Sequence, residues 1–276
     1  MRVLFVTPFT PPLVGGLEQI AATVAQGLLA SGHQAEIVGQ FASARHALPQ
    51  RFVRCEQERS FRQDGVAISI VRPRWSSGIP GAAVYAMMWM PLLRRAVAAF
   101  LRQAFHDRLV LLARGADVVH YLGTGTETLG FAAASAARVA NAALVIQPAI
   151  HPNLWGDRAL DADLYRQADT VLAFTRGEAQ LIERLGVPAA RVRTVPGGIA
   201  RPPATDPAGF RRRHGIDGPM VLFLGRKTED KGVGRLLAAW PGILAMVPST
   251  TLVFVGPSGN AMPQAKPRNG RVVDIA

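Results

Sequence analysis

Met1-Arg-Val-Leu-Phe-Val-Thr7, then Pro11-Pro-Leu-Val-Gly15-Gly16-Leu-Glu18, then a run whose Leu17, Ile20, Ala21, Val24 and Leu28 share one helical face, form the opening of the chain. A short apolar run, a glycine-bearing loop and a 3.6-residue period in that order read as strand, turn and helix. The apolar run is continuous rather than alternating, which is the pattern of a strand buried on both faces. The same grammar returns at Val3 to Val6, Ala35 to Val38, Val118 to Leu122, Leu144 to Ile146, Val171 to Ala173 and Val192 to Val195. Residues 1–200 are therefore expected to form a doubly wound α/β domain around a parallel sheet.

The stretch Pro196-Gly-Gly-Ile-Ala-Arg-Pro-Pro-Ala-Thr-Asp-Pro207 gathers turn residues, and a linker is expected over 201–219. The pattern restarts in 220–276. Strands are expected at Met220 to Leu224, Leu252 to Val255 and Val272 to Ile275, and Val233, Leu236, Leu237, Trp240, Leu244 and Val247 mark a helix between the first two. Pro241-Gly242 should interrupt that helix, since an interior proline costs roughly 3 kcal/mol. Three strands and one broken helix describe an incomplete second α/β domain.

Composition narrows the function. The net charge is +12, but 28 of the 31 basic residues are Arg and they are scattered, so no basic stripe interleaved with aromatics points to nucleic acid. A single cysteine, Cys55, provides neither a disulfide framework nor a thiolate metal site. The first apolar run is too short for a signal-peptide core, and the uncharged Trp75–Leu93 stretch is broken by Gly78, Pro80, Gly81 and Pro91. A cytoplasmic protein without a spanning helix is the expectation.

Two loops invite an anion. Gly15-Gly16 stands at a strand-to-helix junction, where backbone N–H groups are free and a phosphate can approach closely; a tight turn with positive φ explains the glycines equally well. Leu224-Gly225-Arg226-Lys-Thr-Glu-Asp-Lys231-Gly232 places Arg226 and Lys231 before a helix, where a polyanion would neutralise them; a solvated turn paired with Glu229 and Asp230 is the alternative. His151 follows a strand, facing either a substrate or its own turn. Asp161-Ala-Asp163 and Thr175-Arg-Gly-Glu178 read as helix caps rather than metal or catalytic groups. Gly123-Thr-Gly125 lacks the third glycine of a dinucleotide fingerprint, which disfavours a nicotinamide oxidoreductase, and no zinc-protease or serine-hydrolase motif occurs.

In chain order, the Pro-Pro-x-x-Gly15-Gly16-x-Glu18 loop, Ser31-Gly-His33, Asp117-Val-Val-His120, His151, Ala168-Asp169, Gly197-Gly198, Gly225-Arg226 through Lys231-Gly232 and Val255-Gly256 resemble the retaining, nucleotide-sugar-dependent glycosyltransferases of family 4. The resemblance implies a GT-B fold of two Rossmann-like domains, the second incomplete here. It also implies a donor diphosphate held in an interdomain cleft by Gly15 and Gly16 on one side and Arg226 and Lys231 on the other. Fixed positive charge then replaces a metal, and no cofactor is expected. His151 matches the family's histidine beside the reacting sugar.

The family's Glu-x₇-Glu element is absent, because no two Glu are eight apart and Asp274 is the only carboxylate after Lys231. An enzyme truncated in its donor domain is accordingly expected, nearly inactive unless a complementary fragment is supplied. The rival reading is a non-catalytic remnant that uses the first domain as a binding surface. The acceptor (glycan, lipid-linked or small molecule) is not legible. Val84 to Phe105, with Arg94, Arg95 and Arg102 among Met, Trp and Leu, offers either a peripheral contact with anionic lipid or ordinary core packing.

Overall fold

The computed structural model describes residues 1–74, 78–198, 204–257 and 270–275. The chain divides into two compact units, Met1–Ala200 and Arg201–Ala276. In the first, the order is β1 (Arg2–Phe9), α1 (Gly16–Ala30), β2 (Gln34–Phe41), α2 (Leu48–Val53), β3 (Arg59–Gln63), β4 (Val66–Ile70), α3 (Gly78–Met87) and α4 (Arg94–Ala113). There follow β5 (Val118–Leu122), α5 (Gly130–Ala140), β6 (Ala143–Gln147), α6 (Ala159–Tyr165), β7 (Thr170–Ala173), α7 (Arg176–Arg184) and β8 (Val192–Thr194). The eight strands lie in the order β3-β4-β2-β1-β5-β6-β7-β8, and only β3 runs antiparallel to its neighbour.

The unbroken apolar runs are explained by the two cores. Val3 and Phe5 of β1 join Ile37, Ile68 and Leu122 under Ala21 and Ala25 of α1, while Leu4 and Val6 join Val38, Val119, Tyr121 and Ile146 on the other face with α4 and α5. Each side of the strand is thus buried, as a parallel sheet between two helical layers demands. Strand order reverses direction between β1 and β5, and the carboxyl ends at such a switch point open a crevice for ligands.

The second unit holds α8 (Pro207–His214), β9 (Met220–Leu224), α9 (Val233–Met246), β10 (Thr251–Val255) and β11 (Arg271–Ile275), with a parallel sheet ordered β11-β10-β9. Two expectations need correction here. The span 201–219 is not all linker, because α8 forms within it, capped by the Asp206 carboxylate accepting from the Gly209 N–H at 2.7 Å and closed by Gly215 at φ 59°. Pro241 also fails to interrupt α9, which continues through it. The reason is packing: Val233 and Trp240 are buried against Leu252 and Phe254, with Ile243 and Leu244 beyond the proline on the same core. Burial of those side chains outweighs one lost backbone bond.

Among the described residues, no helix is long and apolar enough to cross a membrane.

Candidate functional site

Since β1, β5 and β6 are neighbours, the loops that follow them meet at the carboxyl edge of the first unit's sheet. The loop after β1 passes through a cis Pro11-Pro12 peptide to Gly15, the cap of α1. Gly15 has φ −170°, which is extended backbone open to any residue, and Gly16 does not adopt positive φ either, so the tight-turn explanation of this pair falls away. At Gly15 an added Cβ would meet Arg45 Nη2 at 1.9 Å and Glu18 Oε2 at 2.3 Å. At Gly16 it would meet nothing within 4 Å. Packing inside the protein therefore accounts for Gly15 but leaves Gly16 unexplained.

No side chain caps α1. Its first-turn carboxylate, Glu18, is buried and turned to Arg45 at 2.7 Å, while Arg45 also donates to the Val14 carbonyl at 3.3 Å and lies over the Phe9 ring. The charge of Glu18 is thereby answered from within, and the N–H groups of the first turn keep the partial positive charge that attracts an anion.

The loop after β5 is a packed polar knot. Tyr121 donates to the Thr124 carbonyl at 3.0 Å, and Glu127 accepts from the Thr124 N–H at 3.0 Å while pairing with Arg51. Asp161, fully buried, accepts from the Thr126 N–H at 2.8 Å and from the Arg158 N–H at 3.0 Å, so it both caps α6 and ties that helix to this loop. Burial pushes its carboxyl above the ordinary range, against the pull of those bonds. An added Cβ at Gly125 would come within 2.5 Å of the Leu160 carbonyl oxygen, which gives this glycine a structural reason without any phosphate. Asp163 bridges Arg94 at 2.6 Å and Arg166 at 2.5 Å. Among the described residues no group of three or more His, Cys, Asp or Glu is placed to hold a metal ion.

His151 lies on the loop after β6, exposed, with its ring 4.0 Å from that of Trp155. Its Nδ1 is 3.2 Å from the Ala149 carbonyl, which also accepts from the Trp155 indole N–H at 3.1 Å. Ala149 itself has φ 54°, a left-handed conformation that costs a non-glycine residue on the order of 1–3 kcal/mol. The anchor that holds it is Glu178, whose carboxylate accepts from the Ile150 N–H at 2.7 Å and the Phe174 N–H at 2.7 Å. Thr175 does cap α7 by accepting from the Glu178 N–H at 3.1 Å, yet the Glu178 side chain turns away from the cap to fix the histidine loop. Capping-box spacing hid that role.

In the second unit, Gly225 (φ 146°) leads into a loop where Arg226 is exposed and Lys231 is the last residue of a 3-10 turn before Gly232 and α9. The Glu229 carboxylate lies over Gly234, where a Cβ would meet it at 2.5 Å, so the first turn of α9 already has an acidic neighbour. Lys227, passed over in the sequence, is the buried lysine of this loop; it pairs with Asp274 of β11, and its N–H donates to the Pro257 carbonyl at 3.0 Å. Asp274 is thereby committed to shaping the loop. Arg226 and Lys231 share one loop; Gly15, Gly16 and His151 share one sheet edge.

The sequence family described as "Glycosyl transferase 4-like domain" matches residues 15–198. No curated protein matches. Among solved structures, the chain is similar to Anabaena Alr3699/HepE in complex with UDP and glucose, at 15% identity and TM-score 0.65, covering 100% of this chain and 70% of that one. With the same protein bound to UDP alone, the identity is 17%, the TM-score 0.59 and the coverage 94% and 62%, so the chain spans less than two thirds of that structure. An α,α-trehalose-phosphate synthase (UDP-forming) from Burkholderia vietnamiensis follows at 14% identity and TM-score 0.58, covering 95% and 65%. A UDP-GlcNAc 2-epimerase from Neisseria meningitidis bound to UDP-GlcNAc is similar at 14% identity and TM-score 0.52, covering 99% and 72%. At such identities the likeness is one of fold: the α/β architecture of GT-B glycosyltransferases and epimerases.

Proposed function

The chain belongs to the glycosyl transferase 4-like family, and from that premise we propose that it transfers a sugar from a nucleotide-sugar donor to an acceptor with retention of configuration. The observation that carries the donor reading is Gly16: a glycine in open space, at the uncapped start of α1, beside the switch point of the sheet. A diphosphate there accepts from first-turn N–H groups that no side chain serves. In the second unit, Arg226 and Lys231, on one loop, are proposed to supply fixed positive charge to a donor phosphate, so that no metal ion is required. His151 contacts the reacting sugar.

UDP, the nucleotide of the Anabaena structures, is the probe. Calorimetry should show one UDP site whose affinity is unchanged by a chelator. Loss of binding on chelation would overturn the metal-free reading, and absence of binding would overturn the donor reading itself.

Gly16→Ala separates ligand approach from folding. Alanine is favoured over glycine within a helix by up to about 1 kcal/mol, and the methyl group meets no protein atom, so the unfolding midpoint should stay level or rise. UDP affinity should fall about tenfold, equivalent to about 1.4 kcal/mol, as the methyl holds the phosphate away from the amides. A variant that binds UDP as well as the parent would remove Gly16 from the site.

A further inference from the structure

A cavity of about 360 Å³ opens between α4, α5 and α6, away from the loops that follow β1, β5 and β6. Its lining carries Arg94, Arg95, Arg102 and Arg138 against one carboxylate, Asp163. That carboxylate is already shared between Arg94 and Arg166. Arg138 donates to Gln167, a neutral partner. Arg95 and Arg102 are exposed, seven residues apart on one face of α4, and their side chains have no hydrogen bond or ion pair to the described residues. Arg94 and Arg95 also lie in the first turn of α4, which contains no acidic residue, so they face the positive end of the helix dipole.

Four guanidinium groups converging on one space with a single, doubly used counter-charge are unfavourable to one another unless an anion enters. Ala98 and Ala99, between the two unpaired arginines, keep that space open. The planar, forked donors of arginine fit the oxygens of a phosphate group, and a volume of this order suits a small ligand. We propose that the cavity is a binding site for a phosphate-bearing anion, separate from the donor site.

Two sources offer that chemistry. A soluble phosphorylated molecule would fill the cavity alone. A lipid headgroup would also engage the apolar tip ahead of α4, where Trp89, Met90 and Leu92 are 41%, 52% and 96% exposed and Arg158 stacks on Trp89 at 4.5 Å.

The experiment titrates inorganic phosphate into the parent chain and into Arg95→Gln/Arg102→Gln, followed by calorimetry, and then sediments both with vesicles of phosphatidylglycerol or of phosphatidylcholine. Phosphate affinity should fall at least tenfold in the double variant while UDP affinity and the unfolding midpoint stay level, because neither arginine supports the fold. Sedimentation with phosphatidylglycerol vesicles alone, lost in the double variant and in Leu92→Ser, identifies the headgroup as source. Phosphate binding without any vesicle association identifies a soluble ligand. Equal phosphate affinity in parent and variant, or no phosphate binding by either, overturns the proposal whatever happens to UDP.

Discussion

Between pH 6.5 and about pH 4 the first unit should lose about 3 kcal/mol of stability through one side chain, His120. Its imidazole is buried in the middle of β5, with the ring centroid of Phe5 5.2 Å away, Gln147 as its side-chain partner and Nε2 left without any hydrogen bond. Burial disfavours the cation and lowers its pKa to about 4, against the smaller opposing effect of Gln147. The sign follows from proton counts. Below pH 6.5 the unfolded chain takes up a proton that the folded chain refuses until about pH 4, so stability falls with falling pH across that window and is level below it. His46, shifted the same way by partial burial, adds a smaller part; Asp161, raised by burial, opposes it. His120→Gln keeps a neutral polar group at the position and isolates the difference. Denaturant midpoints at pH 7 and pH 4.5 should converge in the variant, and an undiminished acid loss would place the sensitivity elsewhere.

The parts of this fold that were legible in the sequence are those with one physical signature. Continuous apolar runs such as Val3 to Val6 and Val118 to Leu122 marked strands covered on both faces, because they are short, rich in β-branched residues and followed by glycine-bearing loops, whereas the consecutively buried Phe131 to Ala134 lie in the longer, alanine-rich α5. The β3–β4 hairpin carries a different signature, alternation rather than a continuous apolar run. Its Val66, Ile68 and Ile70 are buried while Ala67 and Ser69 are only half-buried, and Asp64-Gly65, with φ 49° and 82°, is the turn that such a hairpin favours. Pro241 misled in the opposite direction, since propensity weighs one residue and Trp240, Leu252 and Phe254 outweigh it together.

The candidate site divides along the same line. Gly15, Gly16 and His151 could be placed after strands from local pattern alone, and topology brings β1, β5 and β6 side by side. Glu178 and Lys227 could not, for their partners are remote: Glu178 reaches Ile150, and Lys227 reaches Asp274. Neither spacing nor composition encodes a contact between residues so far apart in sequence. Both act by holding a loop rather than by presenting a group, which leaves no motif to read.

On the proposed function, His151→Ala should lower the rate of nucleotide release from a nucleotide-sugar donor about 100-fold in kcat while changing KM by less than about threefold, the signature of an interaction made chiefly in the transition state. The geometry motivates both halves of that expectation. The Ala149 carbonyl can only accept, so the contact at 3.2 Å favours the tautomer that donates from Nδ1, in which Nε2 offers a lone pair. Stacking against Trp155 and the strained Ala149 turn, pinned by Glu178, fix the direction of that lone pair before substrate arrives. Under the proposed role, a hydroxyl of the reacting sugar donating to Nε2 would be held with the anomeric carbon aligned, and the contact would strengthen as positive charge develops on the ring. Glu178→Gln, which leaves one of the Ile150 and Phe174 amides without its acceptor, should shift kcat the same way by a smaller factor. Measuring release to water as well as to an acceptor keeps the readout independent of acceptor identity. If His151→Ala instead lowers the unfolding midpoint and leaves kcat intact, the histidine serves its own turn, stacked on Trp155, and the sugar is oriented by other groups.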